Sequence, residues 1–166
     1  MNEKKQVNLN TKQGFDAMRI VNKLGVKDQI LDVIDIMKNA ERKQGLLYQE
    51  IIGYVTDELG AEKVKELREE ENGLGVYILD QYKKHPEIKD QMDSLDSKKE
   101  KEILNVIFTI VIERISQAEK ELYKFLANVY NIKPKEIEEQ GFDETIHLIY
   151  GIITSETFQK LFTLTA

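Results

Sequence analysis

The sequence predicts an all-α fold, a compact multi-helix bundle of about seven to eight helices around a buried central helix near residues 98–115. The strongest indication is residues 103–112, which read ILNVIFTIVI and form the longest apolar stretch of the chain. Its two polar residues, Asn105 and Thr109, lie four positions apart and therefore on one narrow helical stripe. Only two prolines and nine glycines occur in 166 residues, which favours long helices. We therefore expect a central helix covered on nearly all sides.

Two other structures for this stretch agree less well with its pattern. Its content of Ile, Val and Thr favours a strand, but its polar positions show no period of two. A membrane span requires about 17–25 apolar residues, and this run ends at Glu113 and Arg114. A helix inside a protein core remains the preferred interpretation, and we expect no membrane association.

The first half of the chain is expected to form five amphipathic helices after an exposed lead-in at residues 1–13. Gly25 and Gly60 mark helix ends, because glycine readily adopts the left-handed conformation of a helix C-cap. Asn72-Gly73 is a turn signal, and the residue before Pro86 is disfavoured in a helix. The expected inward-facing residues of the first three helices are Phe15, Met18, Val21 and Leu24; Ile30, Leu31, Ile34 and Met37; and Leu47, Ile51, Tyr54 or Val55, and Leu59 of a helix over 42–59.

Residues 86–96 are polar and contain a proline and three aspartates, which predicts a mobile connection. The sequence Ser-Lys-Lys-Glu from Ser97 matches the capping box, in which the serine and the later glutamate satisfy free backbone N–H groups. It places the start of the central helix at Ser97. A second match, Ser-Gln-Ala-Glu from Ser116, predicts a break between helices.

The last third of the chain contains further helix signals. Pro134 suits the first turn of a short helix that Gly141 ends. Asp143 is expected to cap a helix over 144–154, and Ser155 a last short helix. Residues 14–166 are therefore expected to be a single helical domain.

Charge and composition exclude several classes of function. The formal net charge of −6 disfavours nucleic-acid binding, which depends on clustered Lys and Arg. The chain has no cysteine, and therefore no disulfide, thiol nucleophile or cysteine metal site. The first residues lack the apolar segment of a secretory signal.

The strongest catalytic candidate is the pair Glu144 and His147. Glu-x-x-His places a carboxylate and an imidazole one helical turn apart, as in di-iron bundles, but those sites need two such motifs and two further glutamates. The other histidine, His85, has Tyr82 three residues before it. We expect a partly exposed histidine, no cofactor and no enzyme, and keep a metal enzyme as a minor alternative.

A candidate partner-binding site lies at the C-terminal end of the chain. Chain termini are often weakly held, and an exposed apolar patch indicates a binding surface. The alternative is that this cluster folds back onto the core. Its members are apolar and closely spaced: Phe158, Leu161, Phe162 and Leu164.

Two stretches together resemble a known family. The first is 14–34, GFDAMRIVNKLGVKDQILDVI. The second is 118–162, with ELYKFLA, KEIEE and FDE in that order before the closing Phe158–Phe162 segment. In order and pattern they resemble the tail assembly chaperones of long-tailed phages and prophages of Gram-positive bacteria.

This resemblance implies a small helical, non-enzymatic protein of the host cytoplasm that is absent from the mature virion. It implies that the protein binds the tape measure protein and recruits tail tube subunits during tail assembly. Self-association to a homo-oligomer stays open. The alternative is a small helical adaptor or regulatory protein that binds a host protein through the same C-terminal helices.

Overall fold

The computed structural model describes residues 7–70 and 72–163, and this part of the chain contains helices and no strand. The predicted all-α fold is confirmed. The described residues form nine α-helices, joined by short turns and, between the fifth and sixth, by the 3₁₀ turn Ile115–Gln117. The helices are α1 Thr11–Leu24, α2 Lys27–Leu59, α3 Ala61–Glu69, α4 Gly75–Lys84, α5 Pro86–Arg114, α6 Glu119–Tyr130, α7 Pro134–Glu139, α8 Phe142–Ile153 and α9 Glu156–Thr163.

Contacts divide the predicted single domain over 14–166 into two compact units. The terminal unit comprises the described parts of 1–36 and 101–166, and the middle unit comprises those of 37–100. The boundaries between the units fall inside α2 and α5. Each unit has its own buried apolar residues.

Several helix ends lie where local sequence signals place them. Gly25 and Gly60 follow α1 and α2 with φ angles of 65° and 81°, a region in which a residue with a Cβ is strained. Asn72 also has a positive φ, 60°, as the predicted Asn-Gly turn requires. Ser155 caps α9, because its Oγ accepts a hydrogen bond from the N–H of Phe158 at 3.3 Å.

The predicted helices over 30–37 and 42–59 are one continuous helix, α2. No glycine or proline separates them, so nothing in the local sequence interrupts the helical hydrogen bonds. The predicted connection at 86–96 is helical, because no glycine or further proline follows Pro86 in this segment. It forms the first three turns of α5, with Pro86 at the first helical position, where its missing N–H costs nothing. The capping-box match at Ser97 therefore lies inside a helix.

Two other caps differ from the prediction. The break at Ser116 is confirmed, but Ala118 precedes α6 and no side chain caps it. Helix α8 begins at Phe142, before the predicted cap Asp143, and the Glu144 carboxylate accepts a hydrogen bond from the N–H of Gly141 at 3.3 Å. Two carboxylates in the first turn stabilise this end of α8 through the helix dipole.

The described part of the predicted lead-in at 1–13 is attached to the terminal unit. The N–H of Leu9 donates to Thr157 Oγ1 at 3.0 Å. Asn10 caps α1, because its Oδ1 accepts from the N–H of Gln13, while Gln13 Oε1 accepts from the N–H of Asn10, both at 3.0 Å. Residues 1–6 lie outside the described residues.

The buried face of α1 contains Ala17, Ile20, Val21 and Leu24. The three-residue spacing that includes Phe15 is wrong at its first position, since the Phe15 side chain is 59% exposed. Three-residue steps fall short of the 3.6-residue helical turn, so four residues joined by three such steps do not stay on one face.

The middle unit has an apolar cluster beside a group of charged side chains. Ile52, Val55, Val64, Leu67 and Leu74 form the buried cluster. On its polar side, the Lys84 ammonium lies 2.8 Å from the carboxylates of both Glu58 and Asp80. The buried Gln81 amide donates to Glu58 at 2.6 Å. The hydrogen bonds from Lys84 and Gln81 hold the pKa of Glu58 below its ordinary value of 4.5.

Substitution by alanine should have opposite effects on stability at Gly53, which lies inside α2, and at Gly60, which follows its last residue. Gly53→Ala should raise the free energy of unfolding by about 0.5–1 kcal/mol, because a Cβ there meets no atom within 4 Å. Gly60→Ala should lower it by about 1–2 kcal/mol, because its φ is left-handed. Urea denaturation followed by circular dichroism measures both. Equal effects of the two substitutions would contradict the assigned end of α2.

The Glu58 cluster should make the stability of the protein depend on pH in acid. A carboxyl group with a lowered folded-state pKa stabilises the fold above its unfolded pKa and loses this contribution as pH falls through the folded pKa. The loss of stability below pH 4.5 should therefore be smaller in Glu58→Gln than in the wild type. Urea midpoints across this range measure it, with the exposed Glu62→Gln as the matched control. An identical acid profile for wild type and Glu58→Gln would contradict the cluster.

Candidate partner-binding surface

Large apolar side chains from α5 and α8 lie exposed and adjacent on the terminal unit. Phe108, Ile112 and Phe142 are 51%, 62% and 52% exposed. The rings of Phe108 and Phe142 pack edge to face, with centroids 6.2 Å apart and planes at 81°. Phe108 and Ile112 are one helical turn apart and so share a face. We name Phe108, Ile112 and Phe142 the α5–α8 patch.

The patch exists because the C-terminal half of α5 is apolar on more sides than the chain covers. Ile103, Ile107, Ile110 and Val111 are buried on its inner face. The expectation of a central helix covered on nearly all sides is therefore wrong at Phe108 and Ile112. Burying a side chain of this kind contributes about 1.5–3 kcal/mol, so a partner that covers these two gains a substantial binding free energy.

Acidic residues predominate next to the patch in the sequence. Glu113 follows Ile112, and Asp143 and Glu144 follow Phe142, and all three are exposed. Arg114 adds one positive charge at the end of α5. An apolar surface with an acidic margin favours a partner that carries Lys or Arg beside its apolar face.

The predicted C-terminal cluster folds back onto the core, which was the alternative interpretation. Phe158 and Phe162 are buried, and their rings lie 5.0 Å apart. Leu161 is half-buried and lies beside Gly14. A Cβ atom added to Gly14 would lie 3.4 Å from the Cδ2 atom of Leu161. The expected exposure of Phe158 and Phe162 is wrong, since their four-residue spacing places both on one face of α9 and that face is buried. Leu164 lies outside the described residues.

The catalytic candidates Glu144 and His147 have local structural partners. Glu144 accepts the Gly141 N–H, and the Nδ1 atom of His147 lies 2.7 Å from the carbonyl oxygen of Asp143. In the middle unit, the His85 ring stacks on Tyr54 with centroids 3.9 Å apart. Within residues 7–70 and 72–163, no group of three or more His, Asp or Glu side chains is arranged to hold a metal ion.

The terminal unit also contains a cavity of about 60 Å³ with an entirely apolar lining, including Ala17, Ile110 and Phe158. A cavity without polar groups stays dry and offers no acid, base or nucleophile. Tyr130, a half-buried residue of this unit, donates its hydroxyl to the carbonyl oxygen of Leu148 at 2.7 Å. Burial raises the pKa of Tyr130 to about 12, so its phenol stays protonated and structural.

Comparisons of the chain with protein-family models, with curated proteins and with solved structures find no match. Among the helices of the described residues, none combines the length and the apolar character that a bilayer crossing requires. The candidate site is therefore characterised by its own geometry, and the α5–α8 patch is distinguished by the contact between two exposed aromatic rings.

Neighbouring residues of α5 should respond very differently to the same substitution. Ile107→Ser should lower the free energy of unfolding by about 3 kcal/mol or more, because it leaves a cavity and an unpaired hydroxyl at a fully buried position. Phe108→Ser should lower it by less than about 1 kcal/mol, because half of that side chain is exposed. Thermal unfolding measures both, and a similar loss in the two variants would show that the patch belongs to the core.

Proposed function

We propose that this protein is a tail assembly chaperone that binds the tape measure protein and recruits tail tube subunits in the host cytoplasm. The α5–α8 patch carries the proposal, because it offers exposed aromatic and aliphatic side chains to an apolar partner. The resemblance of 14–34 and 118–162 to this family supports it, and the second stretch contains Phe142. On this proposal the protein leaves the tail before the virion is complete.

The physical basis is the solubility of the partner. The resemblance to this family implies that the partner, the tape measure protein, is a long helical chain with an apolar face. Such a chain would aggregate if that face stayed exposed. A helical domain with a net charge of −6 and a local apolar patch can cover a section of such a helix and keep the complex soluble. The mode of binding would be a helix laid with its apolar face on the patch.

The acidic residues near the patch refine the expected partner. Glu113, Asp143 and Glu144 favour tape measure segments in which Lys or Arg flank the apolar face. They disfavour an acidic helix, because like charges would then be brought together. Several copies of the chaperone along one tape measure protein would each cover one such segment.

The proposal is tested by co-expression with a tape measure protein, whose gene the proposal expects beside this one. We expect a co-purifying complex and a larger soluble fraction of the tape measure protein. The double variant Phe108→Ser and Ile112→Ser should weaken the complex by more than about tenfold, because it removes two side chains worth about 1.5–3 kcal/mol each when buried. The matched control is Phe15→Ser, which changes an exposed phenylalanine outside the patch.

Two results would count against this function. Absence of a complex with the wild-type chain would contradict the proposal directly. Capture of a host regulator that depends on Phe108 and Ile112, without capture of tail proteins, would instead favour the adaptor or regulatory protein.

A further inference from the structure

A basic groove lies between α1 and α6 in the terminal unit, outside the α5–α8 patch. Its volume is about 450 Å³. Helix α1 contributes Lys12, Asp16, Arg19 and Lys23, whose spacings of four, three and four residues form one stripe along the helix. Helix α6 contributes Glu121 and Lys124 from the opposite side. Four cationic side chains thus face two carboxylates in a chain whose net charge is negative.

Both carboxylates of the groove are already paired within the protein. The Arg19 guanidinium lies 2.8 Å from Asp16. The Lys23 ammonium donates to Glu121 and so lowers the pKa of that carboxyl group. Lys12 and Lys124 form no ion pair within 4 Å in the described part of the chain. The ammonium groups of Lys12 and Lys124 can therefore each form an ion pair with a carboxylate of a partner without breaking an existing pair.

The groove is held open by contacts between its two helices. The Gln13 amide donates to Asn128 Oδ1 at 2.9 Å and to the Asn128 carbonyl oxygen at 3.3 Å. The Lys23–Glu121 pair joins the same helices at a second point. Between these contacts, Ile20 and Phe125 add apolar atoms to the lining. A preformed groove loses less entropy on binding than one that must be ordered.

We propose that this groove binds an acidic segment of a partner polypeptide. One carboxylate would pair with Lys12 and another with Lys124, while an apolar side chain contacts Ile20 and Phe125. Charge complementarity favours this occupant over a basic or neutral segment. A nucleic acid is disfavoured, because the protein has a net charge of −6 and the carboxylates of Asp16 and Glu121 in the groove would repel phosphate groups. The groove is independent of the proposed chaperone function, since none of its lining residues belongs to the α5–α8 patch.

The test uses the full chain and a fluorescein-labelled peptide with glutamates at helical spacing around a central leucine, measured by fluorescence anisotropy. A peptide with glutamine in place of glutamate is the matched ligand control. We expect the glutamate peptide to bind at least about tenfold more tightly at about 50 mM salt, and this difference to shrink at about 300 mM salt, because the contacts are exposed and screened.

Charge reversal locates the binding to the groove. The double variant Lys12→Glu and Lys124→Glu should weaken binding of the glutamate peptide by at least about tenfold, because two attractions become repulsions. The control variant Lys120→Glu and Lys135→Glu makes the same change of net charge outside the groove and should stay within about twofold of wild type. Circular dichroism confirms that both variants fold.

Three outcomes would overturn the proposal. The first is equal affinity for the glutamate and glutamine peptides. The second is equal weakening in the groove variant and the control variant. The third is binding of a single-stranded oligonucleotide, or of inorganic phosphate, that competes with the peptide and exceeds it in affinity.

Discussion

The burial of one face of α5 is the constraint on which the terminal unit depends. Ile103, Ile107, Ile110 and Val111 supply four buried side chains along that face. A face this apolar must be covered, and removing such side chains from water is the main source of folding free energy. Residues 103–112 also carry apolar side chains on the opposite side of α5. That side is not fully covered, so Phe108 and Ile112 remain exposed to solvent. The core and the candidate binding surface are therefore two faces of one helix.

The two surfaces of the terminal unit would recognise different chemistry. The α5–α8 patch combines three large apolar side chains with nearby carboxylates, and it suits an apolar, basic helix. The groove between α1 and α6 combines paired carboxylates with the ammonium groups of Lys12 and Lys124, which form no ion pair with the residues that the structure describes, and it suits an acidic segment. A protein with both surfaces can hold one partner while contacting another.

Local signals predicted the helical fold and many of its ends because they act over a few residues. Gly25, Gly60 and Ser155 end or begin helices as expected, since the left-handed φ and the serine cap depend on the neighbouring backbone alone. Local signals failed at residues 86–97. The polar stretch 86–96 and the capping-box match at Ser97 suggested a linker, but an uninterrupted run without glycine after Pro86 continues as helix.

The sequence by itself determined the all-α class, the turns at glycine and the apolar character of 103–112. Only the tertiary structure decided which apolar residues are covered. Phe158 and Phe162 were expected near a partner and are buried, whereas Phe108 and Phe142 are exposed and in contact. Hydrophobicity is a property of each residue, but burial depends on which helices pack together over long sequence separations. The groove lined by Lys12 and Lys124 likewise could not be predicted from the sequence, because it forms only where α1 packs against α6.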